Sequence, residues 1–313
     1  MRLRRQRPKP PNRPRRALGG ESDPPSLIEL ERFSQQALHK WREASHGIDA
    51  LHRLLFFDLE SLRQRDGQKL LDAIRAGART DFEFHDWSRI VDYRYSLASL
   101  LTAGSVKDIG GRFNFGAALS PGSFSPFPAL YLADGYATAF REKYGLDPTT
   151  SLDGLTAIDL ALRTPSSFTQ VRVRGRIDLV IDVEDTAALQ PAADVIKRFS
   201  MPKTAVTLAR RLQLKSPMLV RSSKGLQRHL LHPNWRATPA QFGIPSNSQI
   251  FGRLVAGAGI HGIVYPSSRK VAGRCLALFT QNWTDSRSFI EIVDTPPVGA
   301  TRTRIKGSTK TIQ

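Results

Sequence analysis

Apolar positions along the chain fall into two textures. Up to about residue 76 they recur at helical spacing: Leu27, Leu30, Ala37, Leu38 and Trp41, then, after Gly47, Ile48, Leu51, Leu55, Leu59 and Leu62. That pattern predicts two or three helices. Ser26-Leu27-Ile28-Glu29, directly behind Pro24-Pro25, has capping-box spacing and marks the expected start of the first. From about Trp87 the apolar residues form short runs bounded by Gly and Pro. Those at 129–132, 177–183, 262–265 and 275–279 read as strands. Stretches 136–144, 187–199 and 248–258 are compatible with helices, so the body reads as mixed α and β with no internal repeat. Periodicity does not decide segment 202–245. Its Arg210, Arg211, Lys215, Arg221, Lys224 and Arg228 suit either a phosphate-facing surface or an ordinary solvated face.

Composition narrows the class. The 313 residues are 40% hydrophobic and 24% charged, which excludes wholesale disorder and a fibrous protein and allows two domains, or one with extensions. One cysteine, Cys275, excludes a disulfide framework and a Cys-rich zinc module and points to a reducing, cytoplasmic setting. His39, His46 and His52 lack ligand spacing and a carboxylate partner, so no metal site is expected. No apolar stretch is long enough for a membrane span, and the basic N-terminus has no h-region behind it, which argues against Sec-type export.

The net charge of +18 is concentrated at the ends: eight basic residues and no acid occur before residue 18, and four more basic residues after residue 300. Without those twelve the remainder would carry a net +6. Pro-rich basic tails of this kind read as solvated extensions able to attract polyanions without sequence preference. The chain therefore divides into a disordered basic tail (1–25), a helical N-terminal region (26–86), a mixed α/β domain (87–296) with an insertion near 199–245, and a basic C-terminal tail (297–313).

Several reaction classes are excluded by missing motifs: a Walker loop, a nucleophile elbow and His-Glu-x-x-His are all absent. Gly110-Gly111 precedes Arg112-Phe113-Asn114 without the third glycine of a dinucleotide fingerprint. Polar residues at the margins of apolar runs remain. Arg112 carries a guanidinium suited to a bidentate hold on phosphate, behind two glycines that would let backbone approach a ligand. Tyr131 offers an aromatic face and one hydroxyl. Helical spacing places Glu142 beside Ala139, and Ser267 follows a strand. Taken alone, each is better explained structurally, as a turn arginine, a core tyrosine, an exposed helix glutamate or a loop serine.

Their order is more telling. Gly110-Gly111-Arg112-Phe113-Asn114, then Ala129-Leu130-Tyr131-Leu132-Ala133, Thr138-Ala139-Phe140-Arg141-Glu142, and finally Gly262-Ile263-Val264-Tyr265-Pro266-Ser267-Ser268-Arg269 with Leu276-Ala277-Leu278-Phe279, resemble the RES domain, a family named for its arginine, glutamate and serine. Tyr93-Arg94 is similar to the tyrosine and arginine near that domain's start, and Gln249 to the glutamine opening its late helix. The resemblance runs from about Asp92 to Phe279.

The resemblance implies an α+β fold, an ADP-ribosyltransferase-like mixed β-sheet core with flanking helices, here preceded by a small helical region. It further implies cleavage of the nicotinamide–ribose bond of NAD, which is a substrate and not a prosthetic group; no other cofactor is implied. Water or inorganic phosphate is the acceptor in most such enzymes. Carried over by motif, Arg112, Glu142 and Ser267 would be catalytic, and Arg94, Arg112, Tyr131 and Ser267 would bind NAD. Glu142 would stabilise the developing oxocarbenium charge. Arg94 and Arg112 would clamp the pyrophosphate, Ser267 would hydrogen-bond the nicotinamide ribose or amide, and Tyr131 would stack on nicotinamide or bond its ribose. Ser267 is preferred over Ser268 because the family pattern is Tyr-Pro-Ser followed by a small residue and arginine. The family also implies a toxin of a bacterial toxin–antitoxin pair, or an antibacterial effector, restrained by a cognate helix-turn-helix-like antitoxin. The chain departs from the pattern in the long gap at 117–127, in Phe113 standing where tryptophan is usual, and in 199–245. Two other readings stand beside this one: ADP-ribosyl transfer to a protein or nucleic acid, and nucleic-acid binding through the basic tails on a degenerate scaffold. No membrane partner is expected.

Overall fold

The structure, a computed structural model, describes residues 35–119, 125–146, 151–152, 155–156 and 167–307. The basic N-terminal run, the helix start at Ser26 and residues 120–124 of the long gap lie outside the described residues.

By compactness the chain divides into residues 1–46 and 47–313, not near residue 86. In the first unit the described residues are the opening turns of α1 (Gln35–Arg65), which bear an exposed His39–Glu43 pair. The predicted apolar spacing after Gly47 is present, but α1 runs through that glycine.

In the second unit Leu51 packs with Ala205 and Ala209, and Phe56 with Ile244 and Ile250. The buried Glu60 carboxylate binds Arg63 and Arg253. A short helix α2 (Gly67–Ala76) buries Leu70 and Ile74.

The strands β1 (Arg79–Asp92), β2 (Leu130–Ala133), β5 (Phe168–Asp182), β6 (Gly262–Pro266), β7 (Arg274–Leu278), β8 (Phe289–Ile292) and β9 (Arg304–Lys306) form one sheet in the order β1-β2-β7-β6-β5-β8-β9. A two-residue pair, β3 (Ser151–Leu152) and β4 (Leu155–Thr156), stands apart from it. β1 also pairs along most of its length with β5, so β1, β2, β7, β6 and β5 close into a ring. β1 starts eight residues before Trp87, inside the segment read as helical, and β9 comes from the segment read as a C-terminal tail.

Side chains alternate across the sheet as strand geometry requires. Phe84, Leu130, Leu132, Val173, Val264, Leu276 and Leu278, from all five ring strands, share one cluster. Ala133, Ile181, Ile263, Tyr265, Cys275 and Ala277 point the other way. That second face is covered by α2 and by helices α4 (Thr186–Ile196), α6 (Ser223–Leu230) and α8 (Asn247–Gly257). Segment 199–245 holds α5 (Lys203–Arg211), α6 and α7 (Ala237–Phe242).

Candidate active site

The short helix α3 (Tyr136–Tyr144) leaves the end of β2 and carries Glu142. Asp134 fixes its start by accepting the Thr138 hydroxyl at 2.6 Å and the Arg274 N–H at 2.8 Å. Phe140 anchors it among Tyr136, Tyr144 and Phe168. Ala139 and Glu142, three residues apart, both face one cavity of about 270 Å³. Ser267, just past β6, donates its hydroxyl to Glu142 Oε1 at 2.5 Å. The same Oγ accepts the N–H groups of Arg269 and Lys270, each at 3.1 Å. The two residues, 125 apart in sequence, thus meet because β2 and β6 flank β7. Ser267 holds the carboxylate in place with its one hydrogen committed, while Ser268 lines the cavity itself.

The loop 109–114 forms a second wall. The buried Gln249 side chain at the start of α8 donates to the carbonyls of Ile109 (2.7 Å), Gly111 (3.0 Å) and Asn114 (3.1 Å). Gly111 is required by close approach: a Cβ there would lie 2.4 Å from the Tyr131 hydroxyl. The glycine therefore admits Tyr131 as well as lining the cavity. Tyr131 donates to Asn114 Oδ1 (2.8 Å) and accepts the Phe113 N–H (2.9 Å). Its hydroxyl is thereby spent inside the protein and burial pushes its pKa up, so of the two expected roles the ring face is the one open to a ligand.

Arg112 is buried and reaches the cavity, as expected, but much of its guanidinium is committed. Nη1 donates to the carbonyls of Leu230 (3.3 Å) and His232 (3.2 Å), and Nη2 to Ser268 Oγ (3.1 Å). It fixes segment 230–236, from which Pro233, Trp235 and Arg236 complete the wall.

Arg94 is not brought to the cavity. It sits on a 3₁₀ turn (Tyr93–Ala98) beyond the end of β1, exposed, with Asp92 at 3.4 Å and the Tyr95 ring 4.9 Å away. The β1 arginine at the cavity is Arg89. β1 and β2 pair only at Ser88 and Ala133 and then diverge. Arg89 bridges that gap by donating to the carbonyls of Ser99 (2.8 Å), Leu101 (3.0 Å) and Tyr131 (3.1 Å). Burial lowers its pKa to about 10, which leaves it charged at neutral pH.

The cavity is lined by Arg89, Arg112, Lys143, Arg236 and Arg269, with Glu142 as the carboxylate among its described residues. A larger cavity, about 310 Å³, is walled mainly by Leu, Ile, Phe and Met side chains and brings together no such set of charges. Among the described residues no group of three or more His, Cys, Asp or Glu side chains converges as a metal site would require. Nor is any described helix long and apolar enough to cross a membrane.

Comparison with known proteins agrees with the motif order. No curated protein matches the chain. Among solved structures, the M. tuberculosis MbcT–MbcA toxin–antitoxin complex contains a distantly similar chain, at 14% identity and a TM-score of 0.38, the match covering 72% of this chain and 90% of that one. The family model described as the RES domain matches residues 86–298, about two thirds of the chain and inclusive of segment 199–245. With Arg112 and Glu142 lining one cavity and Ser267 bonded to Glu142, all inside the matched residues, the chain belongs to the RES domain family.

Proposed function

We propose that the protein cleaves the nicotinamide–ribose bond of NAD, with water or inorganic phosphate as acceptor, and acts as the toxin of a toxin–antitoxin pair. The observation that carries this reading is Glu142, held by the Ser267 hydroxyl, at the wall of a cavity whose other charged residues are cations. As the C–N bond breaks, its electron pair leaves with nicotinamide and neutralises the pyridinium, and positive charge develops on the ribose. A carboxylate held rigidly beside that ring stabilises the charge in the transition state more than in the ground state. Ser267, with its hydroxyl hydrogen on Oε1 and two backbone N–H groups on its oxygen, keeps the carboxylate from reorienting. Attack by water then gives ADP-ribose and releases one proton; attack by phosphate gives the ribose phosphate ester. Tyr131 supplies an aromatic wall, and the surrounding guanidinium and ammonium groups suit a substrate bearing a pyrophosphate.

A helix-turn-helix-like antitoxin that occludes the cavity is the partner this reading requires. An acidic surface on it would speed its association with so basic a chain. The test is NAD loss and nicotinamide release by the purified protein, with and without inorganic phosphate, beside Glu142→Gln. The substitution keeps the shape and removes the charge, and NAD consumption should fall by about 100-fold or more. An equal rate in parent and variant would refute the assignment. Nicotinamide release that depends on an added protein or nucleic acid would move the reading to ADP-ribosyl transfer.

A further inference from the structure

Five cations line the cavity, and the contacts of four are already committed. Arg89 serves three backbone carbonyls. Arg112 serves two carbonyls and Ser268. Lys143 is paired with Asp92 at 2.6 Å. Arg269 donates to the Arg141 carbonyl at 3.0 Å. Arg236 is different. Among the described residues no carboxylate or carbonyl accepts from it, and its contact is the Trp235 ring, 5.1 Å from its guanidinium carbon. Arg112 also lies over that ring, at 5.8 Å. Trp235 thus contacts two guanidinium groups, one fixed and one free, and all three residues line the same cavity.

From this we infer that Arg236 is the phosphate-binding arginine of the site, using the planar fork that Arg112 has largely spent on backbone and that Arg94 carries outside the cavity. A guanidinium with its donors open to solvent in a cavity presents two parallel N–H groups, the geometry that matches two phosphate oxygens. Partial burial together with the like charges of Arg269 and Arg112 lowers its pKa, with Glu142 opposing, as expected where cations are gathered without enough counter-charge. A bound phosphate would supply that charge. Arg236 is itself held in register by Arg112, whose bonds to the Leu230 and His232 carbonyls fix the approach to Trp235.

The inference rests on the NAD reading for the identity of the phosphate, which has two sources: the pyrophosphate of the dinucleotide and the inorganic phosphate acceptor. Titration calorimetry of the full chain with ADP-ribose and, separately, with inorganic phosphate distinguishes them without requiring turnover. Arg236→Gln should weaken one of the two by about tenfold or more, with Arg236→Lys intermediate because it keeps the charge and loses the fork. Loss confined to ADP-ribose identifies the pyrophosphate, and loss confined to phosphate identifies the acceptor site. Binding of both ligands to Arg236→Gln within about twofold of the parent overturns the inference, as does no binding of either to the parent. Because no carboxylate or carbonyl among the described residues accepts from Arg236, the substitution breaks no hydrogen bond of the fold, and an unchanged melting temperature serves as the control for folding. Nicotinamide release measured alongside keeps the two readings separate: ADP-ribose binding that depends on Arg236, without NAD cleavage, would leave this site standing and remove the hydrolase.

Discussion

Gln249→Glu replaces one atom type in a fully buried side chain and tests how the site's wall is held. The Gln249 amide nitrogen has two hydrogens, and three carbonyls of the Arg112 loop lie 2.7, 3.0 and 3.1 Å from it. Two bonds are therefore in place and the third carbonyl shares. Its oxygen accepts the Ser246 N–H at 3.0 Å as half of the capping box of α8. Glutamate keeps the volume and that cap but turns an oxygen toward three carbonyl oxygens. Leaving two buried acceptors unpaired costs about 1–3 kcal/mol each, roughly 2–6 kcal/mol together, before any repulsion is counted. Against a typical stability of about 5–15 kcal/mol that is a large fraction. At about 2–4 °C per kcal/mol for a chain of this size, the melting temperature should fall by at least about 4 °C at neutral pH. Nicotinamide release should fall with it, because the loop carries Arg112. Acid should narrow the gap to the parent, since a protonated carboxyl can donate one hydrogen to a carbonyl. Gln249→Leu removes the donors without adding charge and should show no such recovery. A Gln249→Glu protein melting within about 1 °C of the parent would refute the claim that this amide holds the loop.

Two further outcomes follow from packing and from titration. Gly252 of α8 faces the same loop, and a Cβ there would lie 2.0 Å from the Phe113 carbonyl oxygen and 2.6 Å from its carbon, both backbone atoms. Gly252→Ala should therefore cost about 1–3 kcal/mol by overpacking, read in urea unfolding, and an unchanged midpoint would contradict the contact. Burial, only partly offset by Asp178, pulls the pKa of His261 below its ordinary value while its Nδ1 meets Ser288 Oγ at 2.8 Å. The unfolded chain then binds a proton before the folded one does. The stability owed to neutral His261 is complete above about pH 6.5 and is lost as pH falls from there through the lowered folded value. Melting temperatures between pH 7.5 and 5.5 should drop more steeply for the parent than for His261→Gln, and parallel slopes would exclude that residue as a source.

How far the fold could be read in advance depended on how each element meets solvent. β2, β6 and β7 are strands of the ring and are nearly all buried, so their short apolar runs were visible; the helix-compatible stretch 136–144 coincides with α3. The first half of β5 alternates Val171 and Val173 with exposed Arg172 and Arg174, so a search for continuous apolar runs begins the strand only at Ile177. β1 is harder still. Its first residues are exposed and charged, and a register shift between Phe84 and Trp87 breaks the alternation.

The same difference separates the site residues found from those missed. Glu142 and Ser267 sit in local motifs, and a motif survives being read in one dimension. Arg94 was placed by its neighbour Tyr93, whereas the arginine at the cavity is Arg89, which stands two residues from each of the buried Trp87 and Val91 along β1. A charged residue in phase with buried apolar ones was the available signal. Trp235 and Arg236 offered none. Among the many basic residues of 199–245, Arg236 is the one that lines the cavity, and it does so with no carboxylate or carbonyl partner among the described residues; that placement is settled by residues that approach from β1, the 109–114 loop and the turn after β6. Sequence can say that a segment is basic, but which guanidinium stays free for a ligand depends on the carbonyls and carboxylates that folding places around each one.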